Sequence, residues 1–172
     1  ELINVAQKNT AKLGFSDRFA LHTGELADAR FLENLRMEAS PVQLVMANPP
    51  WRLVGSGRLP ATEARRKALF GDKGTFPLFA SAASSLLEED GRFVCIISPD
   101  RLQDMLAALD GAGLTPYLLQ YIHKQKTSPA TFVLIEARKG AHAKPSVAEP
   151  IALYGPERFF TLESLAFCPF LR

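Results

Sequence analysis

The sequence predicts an α/β fold: a mostly parallel sheet with helices on both faces. Two observations predict it. Strand-like and helix-like segments alternate along the 172 residues. The runs Val42 to Ala47 and Phe93 to Ile97 are apolar at nearly every position, the pattern of strands covered on both faces rather than on one. A chain of this length, 47% hydrophobic and 22% charged, buries a sizeable core without disulfides or metals.

The elements follow in order. Glu1 to Leu13 reads as a helix, with Leu2, Val5, Ala6, Asn9 and Leu13 near one face and Gly14 as its stop. Arg18 to Leu21 reads as a short strand before the turn His22-Thr23-Gly24. Leu26 to Met37 is amphipathic and helical. Val42 to Ala47 is a strand, ended abruptly by Asn48-Pro49-Pro50-Trp51. A helix is expected over Ala61 to Phe70 and a strongly apolar one over Phe76 to Leu87, with Glu88 to Gly91 as its stop. After the strand Phe93 to Ile97, Ser98-Pro99-Asp100 caps a helix over Arg101 to Leu109. Leu118 to His123 and Thr131 to Ala137 form a hairpin. Ile151 to Tyr154 and Thr161 to Phe167 supply a last strand and a last helix.

Composition excludes several classes. No apolar run reaches the roughly 18–20 residues needed to cross a bilayer. Two distant cysteines exclude a disulfide scaffold and a cysteine zinc site, and no metal is expected. The net charge of +2 is too small to imply a polyanion partner by itself. Its distribution says more: residues 1–51, 52–73 and 74–172 carry nets of −1, +4 and −1. The excess lies in Arg52, Arg58, Arg65, Arg66, Lys67 and Lys73. A solvated helix face gives the same pattern, so this segment gains meaning only from what stands beside it.

In parallel sheets ligands bind beyond the carboxyl ends of the strands. There stands Asn48-Pro49-Pro50-Trp51. Two consecutive prolines fix the chain and leave carbonyls free. The Asn48 side chain and the Pro49 carbonyl can both accept hydrogen bonds from one planar NH₂ group, and the Trp51 indole offers a stacking face. The set suits an exocyclic amine on an aromatic base, or a side-chain amide. Acceptors placed off the ring plane draw the nitrogen toward tetrahedral geometry, an interaction that strengthens as the new bond forms.

The tetrapeptide resembles the (Asn/Asp/Ser)-Pro-Pro-aromatic signature of class I S-adenosylmethionine (SAM)-dependent methyltransferases acting on planar amino nitrogens. Glu1 to Leu13, the Gly24-Glu25-Leu26 turn and Phe93 to Pro99 resemble further parts of that family. The run from Ile122-His123 through Thr131 to Gly140, Glu149-Pro150-Ile151, Tyr154 and Phe160-Thr161 resembles the tail of bacterial tRNA adenine-N6 methyltransferases that modify the adenine beside the anticodon of a valine tRNA. The resemblance implies a Rossmann-like three-layer αβα sandwich with a C-terminal antiparallel hairpin, forming one catalytic domain over 1–172. It implies SAM as cofactor, RNA (tRNA first) as partner and a cytoplasmic enzyme. It places Asn48, Pro49, Pro50 and Trp51 at the reaction, Gly24, Glu25, Leu26 and Asn48 at the cofactor, and Trp51, Arg52, Arg65, Arg66, His123 and Lys126 at the substrate.

The family's usual acid in the place of Glu25 is Asp, and an exposed loop acid reads the same way. His123 and Lys126 fit RNA phosphate or a plain exposed loop. The glycine-rich cofactor loop has no counterpart. Gly55-Ser56-Gly57 follows no strand, and Gly111-Ala112-Gly113 follows a helix. The first two strands are therefore expected before Glu1, outside this sequence, and the span alone is expected not to bind SAM. Protein glutamine, another nucleobase amine, or a non-catalytic RNA- or partner-binding role stand as alternatives. The oligomeric state is open. His22, His142, Cys95, Cys168, Phe76 and Phe79 read as structural or linker residues.

Overall fold

The computed structural model describes residues 2–39, 41–53, 61–140, 144–157 and 159–168. Two helices come first, α1 (Leu2–Lys12) and α2 (Ala29–Ala39). Gly14, at φ 72°, ends the α1 segment. Neither helix has a buried residue, and Leu2, Val5, Leu13 and Met37 are exposed. The expected strand over 18–21 is not formed. An extended segment becomes a strand only by pairing its backbone groups, and among the described residues β1 (Val42–Ala47) pairs with β4 (Leu87–Ile97) alone. Met46 on that outer strand is 74% exposed.

Between these strands lie β2 (Arg52–Leu53), α3 (Glu63–Leu69), β3 (Phe70–Gly71) and α4 (Thr75–Leu86). After β4 a 3₁₀ turn, Pro99–Arg101, leads into α5 (Leu102–Gly111). Then come β5 (Leu114–His123), β6 (Ala130–Lys139), β7 (Ser146–Val147), β8 (Ile151–Ala152) and α6 (Leu162–Phe167). The main sheet runs β1-β4-β6-β5-β7, with β8 also beside β5. β1 and β4 are parallel, β6 is antiparallel to both β4 and β5, and β7 and β8 run with β5. Only β6 opposes the rest, so the carboxyl ends of β1, β4 and β5 share one edge. The expected hairpin is present and longer than its apolar stretches indicate.

The stop expected at Glu88 to Gly91 is instead part of β4. Asp90 takes φ 64°, and the β1–β4 register shifts between Val42 and Leu44. The turn is absorbed as an irregularity in one long strand. Phe93, Cys95 and Ile97 of β4 and Val133, Ile135 and Ala137 of β6 share a buried cluster with Phe76, Ala80 and Ala83 of α4 and Met105, Ala108 and Leu109 of α5. The alternate residues Val94, Ile96 and Leu134 are half-buried. Each fully buried large side chain contributes roughly 1.5–3 kcal/mol. The Lys139 ammonium donates to the carbonyls of Ser84 and Leu87, at 2.9 and 2.8 Å, and so caps the C-terminal end of α4.

Cys95 sits inside this cluster, and burial pushes its thiol up to about 12 from an ordinary value of 9.0. The folded state excludes the thiolate. The corresponding stability is therefore complete below pH 9 and is lost as pH rises from there toward 12. Two pH units above 9 amount to roughly 3 kcal/mol. Urea titrations at pH 8 and pH 11 are expected to show a smaller loss of stability for Cys95→Ala than for the native chain. Equal losses would leave Cys95 outside the alkaline transition.

Candidate active site

Ala47, the last residue of β1, pairs with Cys95, and the next four residues leave the sheet at its carboxyl edge. Pro49 is fully buried and Pro50 half-buried, so the rigid pair anchors the segment. Asn48 is exposed, and among the described residues its side-chain amide has no hydrogen-bond partner. Trp51 is half-buried. Its ring meets Phe132 at the start of β6 edge-on, with centroids 6.3 Å apart and planes at 73°. The Arg52 guanidinium lies 5.3 Å from the indole centroid.

A residue that the sequence does not single out holds this loop. Arg101 is 4% exposed. Its Nη1 donates to the Trp51 carbonyl at 2.7 Å, its Nε to Asp104 Oδ2 at 2.7 Å, and its guanidinium lies 4.6 Å from the Phe76 ring centroid. A buried cation persists only when so paired. The expected cap takes another form: the Ser98 hydroxyl donates to the Asp100 carboxylate, and no side-chain cap bond forms. With Pro at the first turn position, the backbone is already set for a helix start.

Gly71 supports the motif from the other side. β2 and β3 pair in parallel, Arg52 with Phe70 and Leu53 with Gly71. A Cβ at Gly71 would stand 2.4 Å from the Pro50 carbonyl oxygen and 2.7 Å from Thr75 Oγ1. Only glycine lets the two backbones approach this closely. The same pairing brings the end of α3 beside Arg52. On α3, Lys67 pairs with Glu63 at 3.8 Å, whereas Arg65 and Arg66 form no ion pair among the described residues. Arg52, Arg65, Arg66 and Lys73 are all exposed.

The other expected residues are distributed around this loop. Gly24 lies against the Phe31 ring, which a Cβ would strike at 2.3 Å. The Glu25 carbonyl accepts the Asp28 N–H at 2.9 Å, while its carboxylate is exposed and has no partner among the described residues; Leu26 is half-buried. No hydrogen bond or ring contact joins 24–26 to 48–51. His123 and Lys126 stand at the tip of the hairpin. Gly55, Ser56, Gly57, Arg58 and His142 lie outside the described residues. For SAM, the free carboxylate of Glu25 with Leu26 suits an adenine edge and face. The carboxyl ends of β1 and β4 carry Asn-Pro-Pro and Ser-Pro-Asp, neither of them a glycine-rich turn. The described residues thus fit one end of that cofactor. No described helix is long and apolar enough to cross a membrane, and no described cluster of His, Cys, Asp and Glu could hold a metal ion.

No protein-family model matches the chain, and no curated protein sequence does. Solved structures do. The chain is similar to a predicted O-methyltransferase from Agrobacterium tumefaciens, with 21% identity and a TM-score of 0.68 over 98% of this chain and 69% of that one. The fold is that of a class I methyltransferase. The M protein of the type I restriction enzyme EcoKI also shares it, with 16% identity and a TM-score of 0.53 over 98% of this chain and 38% of that one. Within this methyltransferase fold, the Asn48 to Trp51 loop occupies the carboxyl edge of the sheet, where ligands of open α/β sheets bind.

Proposed function

We propose that the chain is catalytic in a SAM-dependent N-methyltransferase acting on the N6 amine of an adenine in RNA, tRNA first among RNAs. The observation that carries this reading is the exposed amide of Asn48, without a partner among the described residues, beside the buried Pro49, with Trp51 held next to it by Arg101 and Phe132. The adenine leaves its stack and lies on the indole, from which Arg52 moves to a neighbouring phosphate. Asn48 Oδ1 and the Pro49 carbonyl accept the two amine hydrogens and favour a tetrahedral nitrogen. SAM, when bound, supplies an electrophilic methyl group, and Glu25 and Leu26 are the residues present that suit its adenine. The methylated nitrogen then sheds one proton to water, so no strong general base is needed. The EcoKI M protein, which shares the fold, belongs to a restriction enzyme and supports a nucleic-acid substrate by analogy.

The cations of α3 test the substrate class. If Arg65 and Arg66 neutralise phosphates, counterions leave on binding, and log K falls linearly with log salt by about 0.7 per contact on a single strand. Four to six contacts give a total slope of roughly −3 to −4. Replacing both arginines with Ala is expected to flatten that slope by one to two and to weaken all RNAs alike, because phosphates carry no sequence. The measurement is tRNA binding over a salt series. Equal slopes for the two proteins would make α3 a solvated face and favour a protein glutamine as substrate.

A further inference from the structure

We infer that a cavity beyond the hairpin takes a guanine, the base of a nucleotide next to the methylated adenine; this rests on the nucleic-acid reading above. The cavity, of about 830 Å³, lies between the 124–129 loop and residues 149–156, 161 and 163. It opens at the same sheet edge as Asn48 to Trp51. β8 stands two strands from β6, so roughly 10 Å separates that wall from Phe132, against which Trp51 packs. That is a distance a neighbouring nucleotide can span.

The walls are fastened before any ligand arrives. The Leu153 N–H donates to the His123 carbonyl at 2.9 Å, and the Tyr154 N–H to the Lys124 carbonyl at 2.8 Å. Tyr154 stacks on Phe160 with centroids 5.0 Å apart, which stiffens one apolar wall. A preformed site avoids the ordering cost of binding.

The chemistry of the lining selects the ligand. Three of its donors are spent internally. His123 Nδ1 lies 2.6 Å from the Ser128 carbonyl, which can only accept. Nδ1 therefore donates to that carbonyl. The Gln125 amide nitrogen donates to the Gly155 carbonyl at 3.4 Å, and the Thr161 hydroxyl to the Ala152 carbonyl at 2.6 Å. Glu149 and Glu163 also line the cavity, and neither forms an ion pair among the described residues. Two free carboxylates repel a phosphate and call for N–H groups. Guanine presents N1–H and an amine side by side, a pair that one carboxylate accepts in bidentate fashion. Lys126, also in the lining, suits the O6 and N7 acceptors on the opposite edge.

The test is a titration of the intact chain with guanosine and inosine monophosphates, read by the amide resonances of residues 123–127 and 149–155. Inosine lacks only the 2-amine. Guanosine monophosphate is expected to shift these resonances saturably, and inosine monophosphate to bind at least about fivefold more weakly, the lower end of one bidentate base contact. Either Glu149→Gln or Glu163→Gln is expected to erase that difference; both side chains are exposed, so the fold tolerates the change. Equal binding of the two nucleotides, or no shift with either, overturns the proposal. So does N-acetylarginine amide shifting the same resonances more strongly, because its guanidinium offers the same donor pair and would mark a peptide site. Guanosine selectivity with RNA binding that ignores salt fails the RNA reading alone. Salt-dependent RNA binding without guanosine selectivity fails the cavity alone.

Discussion

Arg101→Met is expected to release the Asn48 to Trp51 loop from its support. The substitution removes a buried guanidinium that reaches the Trp51 carbonyl across 50 residues. Replacing a buried ion pair with a hydrophobic residue is often neutral. Here the partner acid, Asp104, is 60% exposed and rehydrates without difficulty. The cost falls instead on the Trp51 carbonyl, which loses a charged donor worth about 1.5–3 kcal/mol, and on the lost contact with the Phe76 ring, worth about 1 kcal/mol. A total loss of about 2–4 kcal/mol is expected in urea unfolding. Trp51 is the chain's only tryptophan, so its fluorescence reports on the loop directly. The emission maximum of the folded variant is expected to move to the red as the indole leaves Phe132. Arg101→Lys keeps the charge but lacks the planar fork, and it is expected to fall between the two. An unchanged unfolding midpoint with an unchanged emission maximum would show that the loop stands without Arg101.

What could be read in the sequence followed range. β1 matches its expected bounds, and α1, α4, α5 and α6 lie within a few residues of theirs, because each is specified by local periodicity or by an apolar run between turn residues. The Asn48 to Trp51 motif was legible for the same reason: a double proline after a strand announces itself. The supports of that motif were not. Arg101 looked like an ordinary charge at a helix start, and its role exists only through a bond to a carbonyl 50 residues away. Gly71 carries no signal of its own in the sequence, and its importance lies in the Pro50 carbonyl at its back. The two-residue strands β2 and β3 are too short for any alternation to show. The strand expected at 18–21 failed in the opposite sense. Its composition suits a strand, but a strand is a relation between two segments, and no neighbour among the described residues pairs with it.

Asn48→Ala is expected to lower methyl transfer by at least about a hundredfold, the scale seen when one preorganised hydrogen-bonding group is removed from a developing charge. The amide acts on the amine hydrogens, which become more acidic as the nitrogen gains its methyl group. The interaction is thus stronger in the transition state than before it, and the loss belongs in kcat more than in KM. Stability offers no alternative explanation. Asn48 is exposed and its amide has no partner within the described chain, so truncation leaves no orphaned group, and the unfolding free energy is expected to change by less than about 0.5 kcal/mol. Asn48→Asp keeps an acceptor in place and is expected to retain part of the activity. Asn48→Leu, of similar size but without an acceptor, is expected to behave like Ala. The measurement is transfer of a labelled methyl group from SAM to RNA by the intact protein, with unfolding curves for each variant alongside. A kcat for Asn48→Ala near that of the native protein would reduce Asn48 to a turn residue ahead of two prolines, and the catalytic reading of the motif would fall with it.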